Sequence, residues 1–564
     1  MRKRGVVALA LVILVVVAAC TQGQDTNGGS GRPDQAFPEP VFTPVELDEV
    51  ASPPDGWLDG SCGLDPVIFG RMMRGHFPER SPDVLWAPRI PNFFGGFIQT
   101  GHSGPWDYLA EVPLVFYGPG FIRPVGPVSL EREVTLADIA PTLGELIGFD
   151  FPTPDGRVLD EILVPEERRA EPPKVVVVVA WDGGGTNVLE AWPDFWPELK
   201  GLTDAGASLE GATIGSSPSV TPPVHTTIGT GVLPNRHGVV EIIQRNNGRS
   251  VNSFGGKVAD LVEVPMLGDA YDLSVDNQAQ IGLLAYKSWH LGMLSHGARW
   301  PGGDEDMAVL IDVEEKLGTT PGVYYAPDYV NSIGGLQKTI DEVDLRDGRR
   351  DQAWLGREIL DSPRDRRHTS VWTLHQTKVI KTLMRREGYG ADEIPDLFFT
   401  NYKQLDEAGH DWNMLNREVA VVLEDTDAQL AELTEFLDKQ VGKRAWAMVV
   451  TADHGQQPDA QEARGWPISM SELEKDIAEH FDQDPDGPFV QGSASGMWLD
   501  DEILQAEGIT QEDVADFVIR YPIRDNIVEG KDIPEQYRSR YDEPIFEAAF
   551  PETAESQVAR CLDE

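Results

Sequence analysis

The sequence predicts an α/β fold whose central sheet is mostly parallel and flanked by helices. Three apolar runs carry that prediction: Val175 to Trp181, Asp396 to Tyr402 and Ala447 to Ala452. None alternates apolar with polar residues, as a strand with one wet face would. A continuous apolar run is the mark of a strand covered on both faces, hence of a parallel sheet sandwiched between helices.

The residues just past these runs are the second observation. Asp182 comes directly after the first, Asp406 and His410 shortly after the second, and Asp453 and His454 directly after the third. Open parallel sheets bind ligands in the crevice beyond the C-terminal ends of their strands, so these side chains are expected to converge. Thr221 and His102 complete a set of oxygen and nitrogen donors without a thiolate, which suits zinc or a similar divalent ion. The pattern is that of a two-metal hydrolase. Singly the signals are weak, because Asp-His-Gly is more often a turn and Thr-Pro-Pro more often a loop. Their joint order carries the reading.

The segment Pro218-Ser-Val-Thr221-Pro-Pro-Val-His225, continued through Gly231 and then Pro234-Asn-Arg-His237-Gly238, resembles the nucleophile region of the nucleotide pyrophosphatase/phosphodiesterase family in the alkaline phosphatase superfamily. Asp406-Glu-Ala-Gly-His410 resembles that family's Asp-x-x-x-His element, and Asp453-His454-Gly455 its Asp-His-Gly element. The match runs from Lys174 to about Asp500, with an unmatched insertion from roughly Gly255 to Arg386. The resemblance implies an alkaline-phosphatase-like sandwich, two divalent ions with zinc first among the candidates, and a small phosphate ester as substrate. It implies one ion on Asp182, Asp453, His454 and Thr221, and a second on Asp406, His410 and His102. Thr221 is then the nucleophile and a phospho-threonine the intermediate. His225 reads as structural at the turn after Thr221. Sulfatase chemistry is disfavoured, since it needs a modified Cys or Ser where Thr221 stands.

The family's last histidine normally lies well after Asp-His-Gly. Downstream of His454 there is only His480, on what reads as the exposed face of an amphipathic helix. The expected stretch stands near the front instead, around Thr100-Gly-His102 and Val112 to Gly120. The chain therefore resembles a circularly permuted member, which is tolerable because the termini of compact domains lie at the surface. One position departs from the pattern. Ile242 stands where family members often carry an Asn that donates to a phosphoryl oxygen. That leaves phosphodiesterase or nucleotide pyrophosphatase activity as the first reading, with phosphomonoester or phosphonate hydrolysis as the alternative. A non-catalytic surface lipoprotein is the third.

With 564 residues and 41% hydrophobic content the chain can bury a sizeable core. Its 93 acidic and 47 basic residues give a formal charge of -46. Nucleic-acid polymers are not expected as partners, because neutralising phosphates takes clustered Lys and Arg. Met1-Arg-Lys-Arg4, the apolar stretch Val6 to Val17 and Val17-Ala-Ala-Cys20 read as a bacterial lipoprotein signal, with Cys20 lipidated. The mature protein is then exported to the cell envelope and anchored to a membrane by acyl chains.

The expected organisation is a signal peptide at 1–20, a flexible tether at 21–56, a transplanted C-terminal part of the fold at 57–165, a core with the nucleophile at 174–254, an inserted cap at 255–386 and the rest of the core at 387–564. Within the cap, the aromatics of Tyr286-Lys-Ser-Trp289-His290, Tyr324-Tyr325 and Trp354 either stack a base or lipid head group or form the cap's own core. Cys62 and Cys561 remain as an even pair in a compartment where disulfides persist. In the family's unpermuted order the chain's end would run directly into the segment near Cys62. The two are therefore expected to be bonded neighbours.

Overall fold

The computed structural model describes residues 37–46, 51–95, 100–169, 171–528 and 533–562, so Cys20 and the expected signal peptide lie outside it. In chain order its main strands are β1 (Val84–Pro88), β2 (Leu114–Tyr117), β3 (Val175–Trp181), β4 (Ile281–Tyr286), β5 (Asp306–Ile311), β6 (Asp396–Tyr402), β7 (Trp446–Ala452), β8 (Gly496–Leu499) and β9 (Phe546–Pro551). The strands β5, β4, β6, β3 and β7 lie side by side in that order, all parallel. On one edge β2 joins β7 antiparallel, and the short strands Ala207–Leu209 and Gly126–Val128 extend it.

All three runs predicted as doubly covered strands are buried along their whole length. Val176, Val178 and Ala180 face one core with Leu143 and Ile228, whereas Val175, Val177 and Val179 face another with Leu383 and Leu433. Each buried valine contributes roughly 1.5–3 kcal/mol relative to exposure. The first face is covered in part by α1 (Thr221–Thr230); the second by α2 (Val371–Glu387), α3 (Gln404–Trp412) and α4 (Arg417–Gln440). Helix α1 starts at Thr221 with Pro222 and Pro223 in its first turn, where proline's fixed φ fits and its missing N–H costs nothing. A Cβ on Gly229 would collide with the carbonyl of Gly292, so only glycine lets α1 lie against the turn that carries His290.

Residues 255–386 are not a separate cap. They supply β4 and β5, and β4 pairs with β6 inside the main sheet. Both strands are continuous apolar runs, the same sign that marked the other three, so their place in the sheet has the same physical cause. Tyr286, His290, Tyr324 and Trp354 are buried, and Trp289 and Tyr325 are partly so. Part of the expected tether is also docked. Phe37 packs against Trp192 and Phe195, and the Val41 amide donates to the Ala191 carbonyl at 2.9 Å.

A second, smaller sheet is antiparallel throughout, in the order Val490–Gly492, β8, β1, β9. A strand from the front of the chain thus lies between two from its rear. Trp86, Leu499, Ile519 and Phe546 form its core. Beside it Cys62 and Cys561 are disulfide-bonded across a sequence separation of 499, with Cα atoms 5.5 Å apart. Replacing both cysteines by serine is expected to cost about 2–4 kcal/mol of stability. Thermal unfolding of the double variant measures the loss, and hydrogen exchange should place it in β1, β9 and the helix Glu555–Leu562 before the main sheet.

Candidate active site

Strand register assembles the site. Trp181 pairs with Tyr402 on one side and with Ala452 on the other, so β3, β6 and β7 end level. The next residues, Asp182, Lys403 and Asp453, leave the sheet together. From Lys403 the chain turns into α3, which carries Asp406 and His410 one turn apart on the same face. From the opposite face of the sheet α1 presents Thr221 at its first position. His102 arrives from the front segment between β1 and β2.

These side chains meet. Donor atoms of Asp182, Asp453 and His454 lie within 4.8 Å of one another, as do those of His102, Asp406 and His454. Asp406 Oδ1 stands 3.5 Å from His102 Nε2 and 3.3 Å from His410 Nε2. His454 Nε2 is 3.3 Å from Asp453 Oδ2 and 3.7 Å from Asp182 Oδ1. The rings of His102 and His454 stack at 3.6 Å, so His454 borders both groups. His410 is the partly exposed member. His480 is exposed on its helix and packs on Phe481 and Phe517, away from this cluster.

Three imidazoles share one hydrogen-bonding pattern. The Nδ1 of His102 donates to the Ser219 carbonyl at 2.7 Å, that of His410 to Thr100 at 2.8 Å and that of His454 to Gly455 at 3.0 Å. A carbonyl can only accept, so Nδ1 carries a proton in each ring; in His102 and His454, which burial keeps neutral, the Nε2 lone pair then faces the carboxylates, whereas Asp406 raises His410 to about 9. This is how metal-binding histidines are oriented. Asp406 Oδ1, Asp453 Oδ2 and His454 Nε2 are buried and lack a hydrogen-bond partner among the described residues. Orphaned acceptors of this kind, gathered in one place, fit divalent cations.

Electrostatics point the same way. Burial and the charge of Asp453 push the Asp182 carboxyl up to about 7, and burial pushes Asp453 up to about 7. Against the effect of burial, Asp406 is held well below the usual carboxylate range by Lys403 and His410. Burial lowers His102 and His454, keeping them neutral. Three buried carboxylates cannot all ionise beside so little positive charge.

Two features of the site leave almost no trace in the sequence. Lys403 Nζ lies 2.7 Å from Asp182 Oδ1, 2.6 Å from Asp406 Oδ2 and 3.3 Å from Thr221 Oγ1. Its only sequence signal is the spacing of three residues to Asp406. Asp182, His225 and His290 form a third buried donor group. There the Asn401 amide donates to Asp182 Oδ2 at 3.0 Å and faces His225 Nε2 at 3.2 Å, while His225 Nδ1 bonds the Thr221 carbonyl at 2.9 Å. The side-chain amide takes the space between Asp182 and His225, and the group orients Asp182.

Comparison with known proteins adds to this geometry. Alkaline phosphatase PafA of Elizabethkingia meningoseptica is 25% identical over 175 residues, covering 30% of this chain and 31% of that protein. Alkaline phosphatase PhoK of Sphingomonas sp is 30% identical over 131 residues, 21% of each chain. The matches thus span less than a third of either relative. The crystal structure of wild-type PafA aligns with a TM-score of 0.49 at 17% identity, covering 68% of this chain and 85% of that one. Phosphonoacetate hydrolase from Sinorhizobium meliloti 1021, in complex with phosphonoformate, aligns with a TM-score of 0.33 at 19% identity, covering 62% and 76%. The profile described as type I phosphodiesterase / nucleotide pyrophosphatase matches residues 176–542, more than half of the chain. Its span takes in the apolar strands, Thr221 and the Asp-x-x-x-His and Asp-His-Gly elements, and the chain belongs to that family.

Proposed function

We propose that the chain is a two-metal phosphoric ester hydrolase of the phosphodiesterase or nucleotide pyrophosphatase type, with Thr221 as its nucleophile. The observation that carries this reading is the set of imidazoles locked through Nδ1, whose Nε2 atoms face orphaned carboxylate oxygens. Asp182, Asp453, His454 and Thr221 would hold one ion, and Asp406, His410 and His102 the other. Bound there, divalent ions such as zinc would acidify the Thr221 hydroxyl and offset charge on the phosphoryl oxygens.

Thr221 Oγ1 attacks phosphorus, its bond to phosphorus forming as the ester oxygen departs and takes up a proton. Water then attacks the phospho-threonine, releasing phosphate or its monoester and returning the hydrogen to Thr221. Lys403, 3.3 Å from Thr221 Oγ1, keeps a positive charge beside the reacting oxygen.

Family membership favours a diester or pyrophosphate. The two alkaline phosphatase relatives favour a monoester as the second reading. Against it, Lys287 and Arg367 are both paired with Glu407, at 2.8 and 3.1 Å, and so are engaged elsewhere than on an extra phosphoryl charge. We also read the chain as lipid-anchored through Cys20 and as circularly permuted. Support for permutation is the position of β1 between β8 and β9 and the bond joining Cys62 to Cys561.

Three outcomes are expected. A chromogenic phosphodiester should be hydrolysed faster than the matching monoester, and the reverse order overturns the substrate preference. Thr221→Ala should lose at least about 10³-fold in kcat, the scale of removing a triad member, while remaining folded by circular dichroism; near-normal turnover sinks the mechanism. His102→Ala should retain one zinc fewer per chain by elemental analysis, whereas His480→Ala should match the wild type.

A further inference from the structure

Lys403 occupies a place that neither the nucleophile nor the expected ligand set accounts for. It is the residue between β6 and α3, and its side chain is 3% exposed. Its ammonium touches Asp182 at 2.7 Å and Asp406 at 2.6 Å, carboxylates that belong to the two different ligand sets. Asn401, two residues earlier, holds the other oxygen of Asp182 at 3.0 Å. The Trp289 ring centre lies 5.7 Å from this ammonium and 4.7 Å from that of Lys287.

We propose that Lys403 is a resident counter-cation that stands in for metal charge whenever the protein is stripped of ions and thereby sets the site's affinity for divalent ions. This rests on the two-metal reading above. Buried carboxylates without a compensating charge are among the costliest features a fold can carry. An ammonium bridging Asp182 and Asp406 relieves part of that cost and holds the ligands near each other before any ion arrives. The same charge opposes loading. A dication taken up by Asp182 or Asp406 must share a carboxylate with the ammonium at close range or displace it, and either weakens its binding. An ordinary ligand-orienting residue has the opposite effect, since losing one commonly weakens metal binding by about 10–100-fold.

The sign of the change therefore decides. Full-length protein is stripped with a chelator, and zinc affinity is measured by competition with a chromogenic chelator. Stoichiometry comes from elemental analysis and stability from thermal unfolding. Lys403→Met is expected to bind zinc about tenfold or more tighter than the wild type, and its stripped form to melt about 3 °C or more lower. Lys403→Arg, which keeps the charge, should return both values toward the wild type. Unchanged or weaker zinc binding in Lys403→Met overturns the proposal, and so does an unchanged melting temperature of the stripped form. A Lys403→Met protein that folds only when zinc is supplied supports it. If that variant fails to fold even with zinc, Lys403→Gln is put through the same measurements with the same criteria. A wild type that binds no zinc sinks the two-metal reading itself, whereas a wild type that binds two ions with no effect of Lys403→Met sinks only the role of the lysine.

Discussion

The site depends on one alignment, the level ending of β3 between β6 and β7. Strands buried on both faces have no wet side to fix their register, so the valine run of β3 alone would slide as readily as it pairs. Polar residues at the ends supply what the middle lacks. Each of the three strands is seven residues long. At the start, the Lys174 carbonyl accepts from the Asp396 amide, and the Asp396 carboxylate accepts from Gln280 and Gly390. With equal lengths and one end pinned, the other end is pinned as well. A slip of one residue would bury Asp182 or Asp453 between apolar neighbours, at the cost of an unpaired charge.

Charge then concentrates where those ends meet. The chain carries a formal charge of -46, and most of its acidic residues need only solvent. Asp182, Asp406 and Asp453 do not have that option, being buried. The cations nearby are divided between two tasks. Lys403 reaches inward to Asp182 and Asp406, while Lys287 and Arg367 serve Glu407 at the rim.

The legibility of each part depends on the kind of signal it leaves in the sequence. Asp182, Asp453 and His454 are readable from residue order, because continuous apolar strands end where these groups begin. Asp406 and His410 are readable for the same reason, helped by their spacing of one helical turn. His102 sits in no regular element, so only a resemblance to a family points at it. The structure places it 3.5 Å from Asp406. Lys403 is illegible because a lysine just past a strand reads as a solvated side chain, and such residues are almost never fully buried without a partner. Its partners come from β3 and α3 and exist only after the sheet forms. The strands β4 and β5 carry the same apolar signal as the others. They pair inside the main sheet as that signal implies, and the family profile spans them.

The smaller sheet bears on the active site through His102. This residue lies on the connection from β1, which belongs to the smaller sheet, to β2, which belongs to the main one. The connection is laced to α3 at two points: Thr100 Oγ1 donates to the Gly409 carbonyl at 2.7 Å, and the Thr100 carbonyl accepts from His410 Nδ1 at 2.8 Å. On the other side Ser219, two residues before Thr221, fixes the His102 ring. One histidine is therefore positioned by both sheets, and the placement of β1 between β8 and β9 is part of that positioning. Closing a loop of nearly the whole chain is entropically expensive, although the cost grows only slowly with length. The bond between Cys62 and Cys561 removes most of it from the folding equilibrium. By constraining the unfolded chain, that link favours the fold in which β1 lies between β8 and β9, from which the segment bearing His102 departs.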